Sequence, residues 1–349
     1  MNKSQTKGIL MEINHDTIEK QLAQCIATFD IEADQQVLSD LRKALIYKAE
    51  GRSPDSVKNT YLQDLEIPQI VLFDILANRF PLVINAQKII SNAIFSLVDD
   101  KQNITIVDLG IGRGLQITRI LKKLNEIKTI KTITVIGVEI FKTALDHATA
   151  LIPDLKKEMH YQLEYHPMNI LVENLDAALL SELIPSNNQC LLINASLTLH
   201  HIQSEADRLM LFQKLKSLNP SLVTLVEPNT NCFTNNFDER LLNVYEHFCA
   251  LYGFINTLQL LPEEKKGLKQ FFSTELFDAV ALPEDYRFEK YNTSEAWLKT
   301  ASEAGFTPYD LSESAKDINI KDIEVQVKSP GYVNFQFHHA NILGTIAVN

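Results

Sequence analysis

One seven-residue run, Asp108-Leu109-Gly110-Ile111-Gly112-Arg113-Gly114, limits what this chain can become. Before it stand Ile104, Ile106 and Val107, β-branched and apolar, as in a strand buried on both faces of a parallel sheet. After it Leu115, Ile117, Ile120, Leu121 and Leu124 recur at helical spacing, with Arg119, Lys122 and Lys123 between them. Residues 104–124 therefore read as strand, sharp turn and helix. A turn this tight needs residues without a Cβ, and a ligand can approach them closely. The open N–H groups at the start of the next helix favour an electron-rich or anionic group.

Downstream the pattern keeps alternating strand and helix, which implies a parallel sheet with right-handed crossovers. Residues 133–140 read as the second strand, with Glu139 at its carboxyl end. A carboxylate there is placed to accept from both hydroxyls of a nucleoside ribose. An ordinary exposed strand end is the plain alternative. Residues 161–165 make a short third strand, followed by the corner His166-Pro167-Met168-Asn169-Ile170. Residues 189–199 make the fourth, with Asn194 facing the crevice, and run into Leu199-His200-His201-Ile202. Residues 222–226 make the fifth, ended by Glu227-Pro228-Asn229, with Glu227 facing the same crevice. Either histidine could equally cap a helix or fill a core. Glu227 could equally turn to solvent.

The pattern Asp-x-Gly-x-Gly-x-Gly is not the dinucleotide fingerprint. It resembles the first motif of class I S-adenosylmethionine-dependent methyltransferases. That resemblance implies that Gly110, Gly112 and Gly114 carry the methionine part of S-adenosyl-L-methionine, with Asp108 anchoring its amino end. It implies that Met168 and Asn169 edge the adenine, and that Asn194 and the His200-His201 pair border the transferred methyl. A glycine-rich turn with no ligand is the alternative.

Further pieces narrow the likeness. They are V-D-L-G-I-G-R-G-L-Q (107–116), L-V-E-N-L (171–175), I-N-A-S-L-T-L-H (193–200), V-T-L-V-E-P-N (223–229) and W-L-K-T-A-S-E-A-G-F (297–306). In this order they resemble the GRAS domain, known chiefly from plant transcriptional regulators. The resemblance implies an α/β fold: a Rossmann-like methyltransferase sheet, mostly parallel with antiparallel C-terminal strands, under an α-helical cap. Plant members commonly have a degraded glycine turn, whereas all three glycines stand here. Thr105-Ile106-Val107-Asp108 also replaces the family's His-containing strand. In these respects the chain is similar to bacterial GRAS-like proteins. The implied function is S-adenosylmethionine binding, with methyl transfer to a small, rather apolar molecule. The alternative is a non-catalytic regulatory module that binds a ligand or a protein partner through the cap. Where an acceptor must lose a proton, His201, Glu227 and Tyr245 are the candidate bases. No metal-ligand spacing stands out, and no metal is expected.

The chain divides by pattern into a helical lobe (1–100), a first part of the α/β core (101–232), a helical insertion joining the cap (233–291) and a C-terminal part of the core (292–349). In the lobe, Ile18, Leu22, Ile26 and Phe29 mark one helix. Val37, Leu38, Leu41, Leu45 and Ile46 mark a second, and Ser53-Pro54-Asp55 starts a third element. Residues 67–76 and 86–98 predict two more helices. In the insertion, Leu241, Leu242, Tyr245, Phe248 and Tyr252 form one helical stripe, and Leu268, Phe271, Phe272, Leu276 and Phe277 form another. Most are core residues; Tyr245, His247 and Tyr252 are the polar-tipped ones that could reach inward. Residues 297–305 predict a helix capped by glycine. Residues 318–327 and 332–348 predict two closing antiparallel strands joined across Ser329-Pro330-Gly331.

Composition excludes more than it identifies. A net charge of −11 disfavours a general nucleic-acid binder. Lys122, Lys123, Lys128 and Lys131 form a local basic patch that a solvated helix end explains more simply. No apolar run is long enough to span a bilayer, and no signal-peptide core opens the chain. Cys25, Cys190, Cys232 and Cys249 lack paired spacing, which points to reduced thiols and a cytoplasmic protein, although a secreted effector would look the same.

Overall fold

The computed structural model describes residues 3–51 and 69–349. The expected element at Ser53-Pro54-Asp55, and the first two residues of the helix expected at 67–76, lie outside the described residues. Helices α1 (Lys3–Thr28), α2 (Gln35–Ala49), α3 (Gln69–Asn78) and α4 (Pro81–Leu97) precede the sheet. The chain then runs β1 (Asn103–Leu109), α5 (Leu115–Leu124), β2 (Thr132–Val138), α6 (Lys142–Glu158), β3 (Gln162–Met168) and α7 (Ala177–Leu183). It continues β4 (Cys190–Ser196), α8 (Glu205–Ser217) and β5 (Leu222–Pro228). Two long helices follow, α9 (Phe237–Thr257) and α10 (Pro262–Ala281), then α11 (Ser294–Glu303) and α12 (Ser312–Ala315). Strands β6 (Glu324–Lys328), β7 (Tyr332–Phe337) and β8 (Ala340–Val348) close the fold.

The eight strands form one sheet in the order β3-β2-β1-β4-β5-β8-β7-β6. The first five pair in parallel, and β8, β7 and β6 add antiparallel ladders. This is the expected Rossmann-like α/β architecture. Strand order reverses beside β1, so a crevice opens at the carboxyl ends of β1 and β4. Alternation along the strands feeds two cores. Ile104, Ile106, Ile133 and Val135 pack with α4, α5, α9 and α10 on one face. Val107, Leu109, Ile136 and Val138 pack with α8 and α11 on the other, around Phe212 and Trp297.

Three expectations need correction. On α1 the inward face is Ile18, Leu22 and Cys25, while Ile26 is 46% exposed. Around a helix Cys25 lies about 20° from Ile18 and Ile26 about 80°, so the thiol, not the larger side chain, follows the stripe. Ile46 on α2 turns outward in the same way. The expected last strand, 332–348, is instead the β7–β8 hairpin. Its two turn residues, His338 and His339, hold φ of 47° and 68°. Both are left-handed, as a two-residue turn matching strand twist requires, but neither is the usual glycine or asparagine.

Gly253 on α9 lets Phe337 pack against the helix backbone, because a Cβ there would sit 2.8 Å from Phe337 Cε1. In an exposed helix Gly→Ala stabilises by about 1 kcal/mol. Here Gly253→Ala should instead destabilise, because overpacking a filled core costs about 1–3 kcal/mol. Urea unfolding followed by circular dichroism should show a lower midpoint; a higher one contradicts this packing.

Candidate functional site

The turn after β1 holds Gly110, Gly112 and Gly114 at φ of 75°, 53° and 78°, all left-handed. Beyond that shared need, the three glycines serve different purposes. A Cβ on Gly110 would lie 2.0 Å from Thr198 Oγ1, and one on Gly114 would lie 3.2 Å from Ala148 Cβ of α6. Gly112 meets nothing nearer than the Gly110 carbonyl at 3.9 Å. Of the three glycines matched to the cofactor's methionine part, only Gly112 has open space where a side chain would stand; at the other two the protein's own side chains fill it.

Two anchors at the end of β2 set the turn. The N–H groups of Gly110 and Ile111 both donate to Val138 O, at 2.8 and 3.0 Å. Glu139, one residue past β2, accepts from Gly112 N at 3.0 Å and from Phe141 N at 2.8 Å. Beside them lies a cavity of about 660 Å³ with a mainly apolar lining. Gly110, Gly112 and Glu139 are on its wall; Asp108, Gly114, Met168, Asn169 and Asn194 are not. Asp108 sits behind the turn, where its carboxylate accepts from Asn194 Nδ2 at 2.7 Å. Asn194 Oδ1 in turn accepts from Thr224 Oγ1 and from Gln116 Nε2, and Gln116 does reach the cavity. Asn169 Nδ2 donates to the carbonyls of Glu139 and Ile140, so it shapes the chain after β2. Met168 ends β3 and packs into the second core, and the wall at this corner is Ile170 and Leu171.

The lip of the cavity is exposed and apolar, with Ile140, Phe141 and Leu171. Leu76 and Phe80, and Leu251, Phe271 and Phe272 of α9 and α10, wall it on the helical side. Its buried end carries His200, His247, Glu275 and Tyr291, with half-buried His201 beside them. Just before the histidines, Leu197 holds a left-handed φ of 55°, a strained conformation for a branched side chain, with its N–H tied to Val226 O at 2.7 Å.

Glu227 organises the buried end from behind. It accepts from Thr198 N at 3.1 Å, Leu199 N at 2.8 Å and His200 Nδ1 at 2.5 Å. Burial alone would lower the His200 pKa, but the Glu227 and Glu289 carboxylates outweigh it and raise it to about 10. His201 is driven well below its ordinary range by burial and by the His200 charge, and its ring stacks on Phe288 at 4.3 Å. Burial lowers His247 to about 4, which leaves a neutral ring that donates from Nδ1 to Asn341 O at 3.2 Å.

Of the three candidate bases, His201 lines the cavity, Glu227 supports it from behind, and Tyr245 is elsewhere. Tyr245 is fully buried beside Phe29, and burial pushes its phenol pKa up. On α9 Tyr245 and Tyr252 share the face toward α1 and α2, whereas His247 and Leu251 face the cavity. Helical spacing separates Tyr245 from His247 by about 200°, so both could not reach in. Arg113, Glu275, Glu289 and Tyr291 were missed. Arg113 lay within the glycine motif, and its Nε is buried without a hydrogen-bond partner. The others arrive from beyond α9 with no local motif.

Burial raises the Asp108 pKa to about 7; the Asn194 hydrogen bond opposes the shift and the Glu139 charge adds to it. A folded-state pKa above the unfolded one gives stability that is complete at low pH and lost as the group ionises in the folded state. Relative to Asp108→Asn, the wild type should lose up to about 4 kcal/mol between about pH 4 and about pH 7. Urea unfolding of both proteins across that window measures this, and parallel curves would contradict it.

Known proteins resemble the chain over most of its length. The GRAS domain family matches residues 2–341. Chitin-inducible gibberellin-responsive protein 2 of Oryza sativa subsp. japonica is 30% identical over 185 residues, 50% of this chain and 32% of its own. Scarecrow-like transcription factor PAT1 of Arabidopsis thaliana is 24% identical over 286 residues, 76% of this chain and 55% of its own. The chain thus spans between a third and a little over half of these relatives. The crystal structure of SCL7 from Oryza sativa superposes with a TM-score of 0.74 at 18% identity, covering 95% of this chain and 99% of that one. That likeness is one of fold.

Proposed function

The chain belongs to the GRAS domain family, and on that premise we propose that it binds S-adenosylmethionine in the cavity and methylates a small, rather apolar molecule. The observation that carries this reading is the open face of Gly112 beside Glu139, on the wall of a cavity of about 660 Å³ at the switch point of the sheet. The residues present suit the cofactor. Each Glu139 oxygen accepts one backbone N–H and keeps a lone pair for a ribose hydroxyl. The orphaned Nε–H of Arg113 suits a carboxylate at the amino-acid end. Ile140, Phe141 and Leu171 offer an apolar lip to a purine.

When bound, the cofactor supplies a methyl already activated by its sulfonium. The chain's own task is to align the acceptor and exclude water, which Leu251, Phe271 and Phe272 serve from the helical wall. His201, kept neutral by burial and on the cavity wall, is our candidate to take a proton from an acceptor that must lose one. Glu227 is a positioning residue for the loop that carries both histidines. In this reading residues 1–100 and 233–291 form one cap over a core of 101–232 and 292–349. Buried free thiols at Cys25, Cys190, Cys232 and Cys249 accord with a reducing, cytoplasmic compartment. None of the described helices is long and apolar enough to cross a membrane.

One observation favours a second reading, a non-catalytic module that holds a ligand or a protein partner. Asp108, the residue matched to the anchor of the cofactor's amino end, does not reach the cavity. Calorimetric titration with S-adenosylmethionine and S-adenosylhomocysteine separates the two. The methyltransferase reading expects micromolar binding, weakened at least about tenfold, or ~1.4 kcal/mol, by Gly112→Val and by Arg113→Ala in proteins with native circular dichroism. A folded wild type that takes up neither compound leaves only the module.

A further inference from the structure

We propose that His200, His201 and Glu289 form a binding site for one divalent first-row transition-metal ion at the buried end of the cavity. The Nε2 of His200 lies 3.4 Å from Glu289 Oε2, and Nδ1 of His201 lies 3.9 Å from the same oxygen. One ligand atom from each residue falls within 4.8 Å of the others. Bonds of about 2.1 Å around a tetrahedral ion place its ligands about 3.4 Å apart, so small side-chain rotations complete the shell.

Glu289 gives the independent observation. Its side chain is fully buried, no backbone N–H among the described residues reaches its carboxylate, and the His200 and His201 rings face it at 3.4 and 3.9 Å. A buried carboxylate needs partners that offset its desolvation, and the two facing rings are what this one has. The neighbouring arginine and lysine side chains are committed elsewhere. Arg208 donates to the carbonyls of His200, Ile202 and Lys290. Arg287 and Lys290 both pair with Glu284. What faces Glu289 instead is two imidazoles.

The surroundings suit a metal. Glu227 holds His200 through Nδ1, leaving Nε2 toward Glu289, the carboxylate–histidine arrangement that orients a ligating ring. The Phe288 backbone also hydrogen-bonds the His201 ring. Two imidazoles and one carboxylate select Zn²⁺, Fe²⁺ or Co²⁺ over Mg²⁺ or Ca²⁺. Both histidines line the cavity, so the remaining coordination positions open toward its contents. An oxygen or nitrogen donor of a bound small molecule would complete the shell, and His201 would then act as a ligand and not as a base. The site stands independently of the cofactor reading, since metal uptake needs no S-adenosylmethionine.

The test uses the full chain after chelator treatment, titrated with Co²⁺ and followed by its visible ligand-field absorption, then by displacement with Zn²⁺. One ion per chain with micromolar or tighter affinity is expected. Glu289→Gln and His201→Gln should each weaken it at least about tenfold, whereas exposed His160→Gln should not. Circular dichroism and melting of the metal-free variants check folding, and the two ligand variants serve as alternates if one is unstable. A folded wild type with no saturable Co²⁺ band, or a band unaltered in a folded ligand variant, overturns the site and leaves a metal-free histidine–carboxylate cluster.

Discussion

The site depends on how the end of β2 satisfies a backbone that no regular ladder can reach. Gly110, Ile111 and Gly112 point their N–H groups out of the strand they have just left. Val138 O takes two of them and the Glu139 carboxylate takes the third. A buried donor left unpaired costs about 1–3 kcal/mol, so these bonds decide whether the turn exists at all. They are available because β1 and β2 pair in the register that sets Leu109 opposite Val138. A shift of that register would move the acceptors away from the glycines.

The same device recurs at the end of β5. Glu227 takes the N–H groups of Thr198 and Leu199 and the ring of His200, which folds the chain after β4 back over the crevice. Two buried carboxylates at the carboxyl ends of two strands thus shape the two loops that face each other at the switch point. Each accepts from two backbone N–H groups. The helical wall contributes apolar surface and little polar chemistry; His247 and Glu275 are its polar residues at the buried end.

The parallel half of the sheet was legible because its signals are local. β-branched runs, the glycine turn and acidic strand ends each announce themselves within a few residues, and the structure places Glu139 and Glu227 at those ends. The β7–β8 hairpin was not legible, since two histidines occupy left-handed positions that sequence assigns to glycine or asparagine. Within the site, proximity to a motif was a poor guide to wall position. Asp108 and Asn194 belong to the motif strands yet point at each other beneath the turn, whereas Glu289 carries no motif and sits against His200. Tyr245 and His247 show the limit most plainly. Two residues apart on one helix, they face opposite ways, and only tertiary packing tells which way α9 is rotated.

The close approach of Thr198 to Gly110 has a mechanical result. The Thr198 side chain fills the space a Cβ on Gly110 would need, and its own N–H is gripped by the carboxylate that holds the His200 ring. A displacement of Gly110 toward the histidine loop therefore meets the Thr198 side chain. Any binding free energy that one loop passes to the other is returned in equal measure, as thermodynamic reciprocity demands.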